Sequence, residues 1–355
     1  MSATVDGALP RRPRTAERRV TLVDVAKAAG VDKAVVSRVV NDDPALVIRP
    51  ETRARVKAAI EQLGYHPNLA ARSLRTSRAR SLGLVIPDFS NPVYAEIIAG
   101  AETEALGRGY VLLAGSSSSV GGSSQRYLDL LGSGRVDALL LAGGSMTTAD
   151  QQRLQQQGLP WLMLNNRPTR GGVARYVVLD DAKAARLAVD HLLELGHTRI
   201  AHVAGPAKAD TAARRKRGYQ QRMKAAGIEV PASLIASGDY TPAGGREAVD
   251  QMLSGSRPPT AVFVANLASA IGVLDGLREA GLSVPDDVSV VAVHDLPLAA
   301  HLSPPLTTVS MPLRRLGARG VELLLSTDAT DVVEEKLSDH IELVVRESTA
   351  PPRKR

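Results

Sequence analysis

VTLVDVAKAAGVDKAVVSRVVN, from Val20 to Asn41, decides the N-terminal fold. Leu22, Val25, Ala26 and Ala29 recur at helical spacing and give a helix over Leu22–Ala29 one apolar face. Thr21 precedes it and Asp24 follows three residues on, the spacing of a capping box with Asp in place of the usual Glu. Gly30 makes a turn, and Asp32 is suited to cap a second helix, Lys33 to Asn41, whose Val36, Val39 and Val40 face inward. Arg49-Pro50-Glu51 opens a third helix with proline at the first position, where its missing N–H costs nothing. Val56, Ile60 and Leu63 are expected to close the core, and Gly64 to end the helix. Two short helices joined by a glycine turn are the geometry that seats a helix in the DNA major groove. The side chains then aimed at base edges are Lys33, Ala34 and Ser37, with Arg38 one turn on. Arginine pairs bidentately with guanine O6 and N7, lysine reaches the same edge, and alanine offers a methyl to thymine. The competing reading leaves Lys33 and Arg38 as solvated surface charges.

Charge supports the DNA reading. The first 80 residues carry 16 Lys and Arg against 8 Asp and Glu, whereas the other 275 carry 28 against 29. The whole positive excess of +7 therefore sits in the N-terminal part, the footprint of a polyanion-binding module. Arg11, Arg12, Arg14, Arg18 and Arg19 extend it into a basic arm over residues 1–19, expected to be disordered. Residues 20–65 are the helical domain, and 66–80, polar and basic, a linker.

From Ser81 the pattern changes. SLGLVIPD, YVLLAG, RVDALLLAGG, LPWLMLNN, TRIAHVAG, TAVFVAN and VSVVAVHD are short apolar runs separated by amphipathic stretches such as VYAEIIAGAETEALGRG and DAKAARLAVDHLLELG. Strands alternating with helices mean βαβ units on parallel sheets, which take ligands at the carboxyl ends of their strands. Gly109, Gly158, Gly196, Gly227 and Gly281 stand where left-handed helix caps are wanted. Roughly 270 residues is large for one sheet, so two lobes with a cleft are expected. SSSSVGGSS, Ser116–Ser124, reads as a flexible loop.

These runs, with RVKAAIEQLGYHPNLAARSLRTSRARSLGLVIPD, LELGHTRIAHVAGP, GYQQRMKAAG, LREAGLSVPDDVSVV and SPPLTTVSMPLRRLG, resemble the lac repressor / galactose repressor family from Val20 to the C-terminal region. The resemblance implies an all-α helix-turn-helix domain followed by a two-lobed α/β core like a periplasmic sugar-binding protein, with doubly wound parallel sheets. The implied core spans 81–350, lobe 1 being about 81–180 and 311–338 and lobe 2 about 181–310 and 339–350, with 351–355 a tail. It implies DNA contacts at Thr21, Lys33, Ala34, Ser37, Arg38 and Asn41, with Lys33, Ala34 and Arg38 as the base readers. It further implies a hinge helix over Asn68–Arg75, with contacts from Asn68, Ala71 and Leu74. Eight residues are too short to stay helical alone; paired with a dimer mate in the minor groove, the segment folds on binding and Leu74 wedges a base step. A packed contact within the linker is the other reading of Leu74. Asp32 and Val35 stand where the family usually has Ser and Thr on phosphate: Asp32 keeps the cap but repels phosphate, and Val35 cannot donate. Lys33 and Arg38 are left with more of the recognition.

In the core, Tyr94 and Tyr240 match positions that stack on an effector, and Asn166, Arg215 and Asn266 match polar effector contacts. Each has another reading: Tyr94 as packing, Arg215 within ARRKR as a solvated face, Asn266 as a strand-end turn. His294 replaces the family's usual acid at a strand end, and Leu267 replaces an Asp after Asn266. The cleft thus lacks the acid that pairs sugar hydroxyls, which favours a less typical sugar or an anionic ligand. Histidine also makes pH-dependent binding near neutrality an expectation.

There is no cysteine, and the basic N-terminal run carries no apolar segment, so a reducing cytoplasmic setting near the nucleoid and no export signal are expected. No apolar run reaches the ~18–20 residues of a membrane span. HExxH, Walker, GxGxxG and GxSxG motifs are absent, and His197 and His202 flank a strand, so neither a catalytic residue, a metal site nor a cofactor is expected. The expected partners are operator DNA, a small-molecule effector and a second copy in a homodimer. The terminal APPRKR shows no leucine heptads for a tetramer. The alternative is a cytoplasmic small-molecule-binding or sugar-processing α/β protein without a DNA role, which leaves the basic N-terminus unexplained.

Overall fold

The computed structural model describes residues 20–65, 78–117, 135–143, 148–168, 173–255 and 257–353. Two units separate at Ser77 and Arg78. In the first, α1 (Leu22–Ala29), α2 (Lys33–Val40) and α3 (Pro50–Leu63) surround Val25, Ala26, Ala29, Val36, Val39, Leu46, Val56, Ala59 and Tyr65. One expected core member differs. Leu63 stays exposed, because the left-handed turn at Gly64 swings Tyr65 back onto the helix, its N–H donating to Ile60 O at 3.0 Å; Ile60, half-buried, packs against the core as expected. Val40 is half-buried at the end of α2, one residue short of Asn41.

The second unit holds two six-stranded sheets. The first runs β11-β5-β4-β3-β1-β2 and is parallel throughout, from β1 (Ser81–Ile86), β2 (Val111–Ser116), β3 (Ala138–Ala142), β4 (Trp161–Leu164), β5 (Arg175–Leu179) and β11 (Val333–Leu337). The second runs β12-β10-β9-β8-β6-β7, from β6 (Ile200–Val203), β7 (Ile235–Ala236), β8 (Ala261–Val264), β9 (Ser289–Val293), β10 (Thr307–Ser310) and β12 (Glu342–Val344). Its edge strand β12 pairs antiparallel with β10. The chain passes between sheets after β5, after β10 and after β11. Helices α4 (Val93–Gly107), α5 (Thr148–Gln156) and α10 (Leu313–Ser326) belong with the first sheet. Helices α6 (Asp181–Glu194), α7 (Asp210–Ala225), α8 (Pro242–Leu253) and α9 (Leu267–Glu279) belong with the second.

With few aromatics, helix pairs close through glycine. A Cβ on Gly100 of α4 would lie 1.9 Å from Arg314 O, and one on Gly317 of α10 2.0 Å from Ile97 O, so backbone meets backbone there. Two sequence expectations shift. Ser116 is not loop but the buried last residue of β2, its hydroxyl donating to Pro87 O at 2.7 Å; most of the following stretch lies outside the described residues. His202 does not flank a strand: it lies inside β6, fully buried and stacked on Phe263 with ring centroids 4.7 Å apart.

Candidate nucleic-acid interface and effector cleft

On α2, Lys33, Ala34 and Arg38 are exposed and Ser37 half-buried, one stripe at i and i+4 opposite the buried Val36 and Val39. Asp32 caps the helix, accepting from Ala34 N–H at 2.6 Å. Arg38 is not wholly free: its Nε lies 3.1 Å from Asp43 Oδ2. Thr21 and Asn41 are used within the fold. Asp24 accepts from the Thr21 N–H at 2.8 Å and from its hydroxyl at 2.7 Å, and Asn41 donates to Ser37 O at 2.5 Å. Asn68, Ala71 and Leu74 lie outside the described residues.

In the second unit the strand ends of the two sheets meet. Lobe 1 supplies Tyr94 at the start of α4 and Asn166 just after β4. With its amide oxygen and nitrogen exchanged to match their neighbours, the Asn166 side chain accepts from Gly143 N–H at 3.1 Å and donates to Asn165 O at 3.2 Å. Lobe 2 supplies Arg215 on α7, Tyr240, Asn266 before α9, and His294 after β9. Tyr240 has φ 71 and its ring fills a slot over Gly205, where a Cβ would sit 2.2 Å from ring atoms. Its hydroxyl lies 2.9 Å from that of Thr211, and the Arg215 guanidinium carbon 5.9 Å from its ring centre. Tyr94 is half-buried, within electrostatic reach of Tyr240 and Arg215, and its phenol is pushed up by burial. Asn266 works as a scaffold here: its oxygen caps α9 by accepting from Ser269 N–H at 3.1 Å, and its amide donates to Tyr240 O at 3.1 Å, holding that left-handed residue.

Arg215 is no solvated charge. It is buried and donates through Nε to Asp181 at 2.7 Å, through Nη1 to Ala265 O at 2.6 Å and through Nη2 to His294 Nε2 at 3.1 Å. Burial disfavours its cation, but Asp181 and the tyrosines outweigh that and hold its pKa up. Arg214 shares Asp181 and reaches lobe 1, donating to Asn165 O at 3.1 Å. Arg167 of lobe 1 answers by donating to Asp210 of α7 through Nη2 at 3.0 Å and through its backbone N–H at 3.1 Å; Asp210 also pairs with Arg214. Asp181, Arg214, Asp210 and Arg167 were not among the sequence candidates. The signal was the double arginine in ARRKR, whose buried half only the tertiary fold selects.

His294 corrects an expectation. Burial and the Arg215 charge hold its pKa well below the ordinary value, so it is neutral across the physiological range rather than titrating near pH 7. Arginine only donates, so Nε2 is the acceptor and the proton sits on Nδ1, which is buried and has no partner among the described residues.

Exposed basic side chains on a helix-turn-helix, and a two-lobed α/β core with polar side chains converging from both lobes, define a ligand-controlled DNA-binding regulator. Residues 21–68 match the family described as "Bacterial regulatory proteins, lacI family", and 189–349 a "Periplasmic binding protein-like domain". The ribose operon repressor of Escherichia coli is 35% identical over 306 residues, 86% of this chain and 92% of that one. The lac repressor dimer bound to operator and the anti-inducer ONPF superposes with a TM-score of 0.81 at 29% identity, covering 94% of this chain and all of that one. A CelR–cellobiose complex superposes with a TM-score of 0.70 at 32% identity, covering 93% and all, respectively. The chain belongs to the lacI family of bacterial regulatory proteins; it is a DNA-binding transcription regulator controlled by a small-molecule effector. Among the described residues no helix is long and apolar enough to cross a membrane.

Proposed function

We propose that the chain is a cytoplasmic, nucleoid-associated repressor without catalytic activity, acting as a homodimer on a pseudo-palindromic operator. Lys33, Ala34 and Arg38 of each copy read bases in a major groove, with Thr21, Ser37 and Asn41 also in contact with the DNA. Asn68, Ala71 and Leu74 enter the central minor groove as a hinge. A sugar or sugar-like effector binds between the lobes against Tyr94, Asn166, Arg215, Tyr240, Asn266 and His294. The convergence of Tyr94 and Asn166 with Arg215, Tyr240 and His294 carries this reading. The proposed lobes are lobe 1, about 81–180 and 311–338, and lobe 2, about 181–310 and 339–350. Effector binding shifts the hinge between ordered and disordered states, and the coupling runs equally in both directions.

The cleft also suggests what the effector carries. A carboxylate at 294 would accept from sugar hydroxyls; a neutral His294 with a free Nδ1–H donates instead. The effector therefore presents an acceptor there: the carboxylate of a sugar acid, a phosphate or a carbonyl oxygen. Thermal unfolding of the full chain with panels of neutral sugars, sugar acids and sugar phosphates tests this, since a ligand at a hundred times its Kd adds about 2.7 kcal/mol. An acceptor-bearing ligand is expected to raise the Tm, and His294→Asp to abolish that response while strengthening the response to neutral sugars. An unchanged preference in His294→Asp would overturn the effector chemistry. Failure of the stabilising ligand to alter DNA binding would overturn the regulatory reading.

A further inference from the structure

The end of α2 differs from the other helix ends. Eight of the ten described helices close alike: one residue turns left-handed, its N–H reaches back three residues and the next N–H reaches back five. Seven of the eight use glycine, at positions 30, 64, 109, 158, 196, 227 and 281; α2 uses Asp42, φ 45. This closure returns Asp43 onto the last turn, its N–H donating to Arg38 O at 3.0 Å. The Asp43 carboxylate is itself held. One oxygen accepts from Ala45 N–H at 2.9 Å, and the other lies 3.1 Å from Arg38 Nε.

We propose that Asp43 is a specificity-determining positioning residue, fixing Arg38 through Nε so that the terminal amines Nη1 and Nη2 read O6 and N7 of a guanine. The proposal rests on Arg38 being a base reader. A long side chain loses rotamer freedom when it docks, and one already ordered loses less. The same carboxylate repels phosphate, so Asp43 raises selectivity while lowering affinity for DNA in general. Those opposite signs distinguish an orienting role from a bystander charge.

The test uses the full chain to select duplexes from a randomised pool. The winning duplex and its single-base variants are then titrated at one salt concentration with wild type, D43N, D43E, R38A and R38A/D43N. The amide oxygen introduced by D43N can still accept from Ala45 N–H, so this variant keeps the turn and loses the ion pair; unfolding of the helix-turn-helix, followed by circular dichroism, checks this. D43N is expected to bind random DNA at least as tightly as wild type while preference at one base pair per half-site falls about five- to tenfold. D43E is expected to restore part of that preference, and D43N to change nothing further in the R38A background. Equal strengthening on every duplex, with preference intact, would mean that Asp43 only repels phosphate and would overturn the proposal. An equal loss on every duplex in R38A would instead remove the reading of Arg38 beneath it.

Discussion

Arg38 and Arg215 carry the same group in two solvents. The Arg38 side chain is 53% exposed and faces one carboxylate; that of Arg215 is 2% exposed and has a partner on Nε, Nη1 and Nη2. An exposed pair adds at most about 1 kcal/mol to stability, so Arg38 is available for a partner without cost to the fold. A buried guanidinium is tolerable only with its charge and protons matched, so Arg214 and Arg215 fix geometry before any ligand arrives. On the role proposed for Arg38, charge serves recognition on one unit and architecture on the other. The strongest way to break this contrast is Asp181→Asn, which keeps the shape but strands two buried arginines on a neutral amide. Loss of about 3–5 kcal/mol from the core is expected, read as an earlier denaturant midpoint with the helix-turn-helix unaffected. A loss below about 1 kcal/mol would mean that the buried pair behaves like a surface one.

Acid tests the same contrast from the other side. Burial pushes His202 down to about 4, against an ordinary 6.5. Between those values the unfolded chain binds more protons than the folded one, so stability falls as pH drops through the window from 6.5 to 4. His202 alone contributes about 3 kcal/mol to that loss. His191, His197 and His294 are also held low, chiefly by burial, and add slope of the same sign. Urea midpoints of the full chain taken from pH 7 to pH 4 check this, with His202→Phe expected to flatten the curve. An unchanged slope in that variant would assign the acid sensitivity elsewhere.

What the sequence made legible was what neighbours in sequence decide. Gly109, Gly158, Gly196, Gly227 and Gly281 all take the left-handed backbone expected of them, because a helix end is a local event. The alternation of strand and helix likewise led to parallel sheets. The six cleft candidates come together, but their roles were not readable. Asn266 spends its amide on a helix cap and on Tyr240, and Arg215 is matched by Asp181, 34 residues away. The antiparallel β12 was missed for the same reason: its pairing with β10 is set by where the chain returns. Leu63 and Tyr65 exchanged places because a periodic pattern stops at Gly64, whereas the chain turns back there.

The smallest expected effect sharpens the helix-turn-helix side of the comparison. Asp42 holds a positive φ that glycine adopts freely, and the bonds from Asp42 to Val39 and from Asp43 to Arg38 run through the backbone alone. Asp42→Gly therefore removes backbone strain without removing a contact. Against that, glycine gives the unfolded chain about 0.4–1 kcal/mol more conformational freedom to lose. A non-glycine residue in this region stores on the order of 1 kcal/mol, less for Asp than for most, so the two effects nearly cancel. A change within about 0.5 kcal/mol of zero is expected, measured by thermal unfolding of the helix-turn-helix, with base preference intact because Asp43 keeps its place over Arg38. Asp42→Val, branched at Cβ in the same conformation, is expected to lose more than about 1 kcal/mol. A loss of base preference in Asp42→Gly would place the ordering of Arg38 in the Asp42 side chain rather than in the backbone closure that returns Asp43.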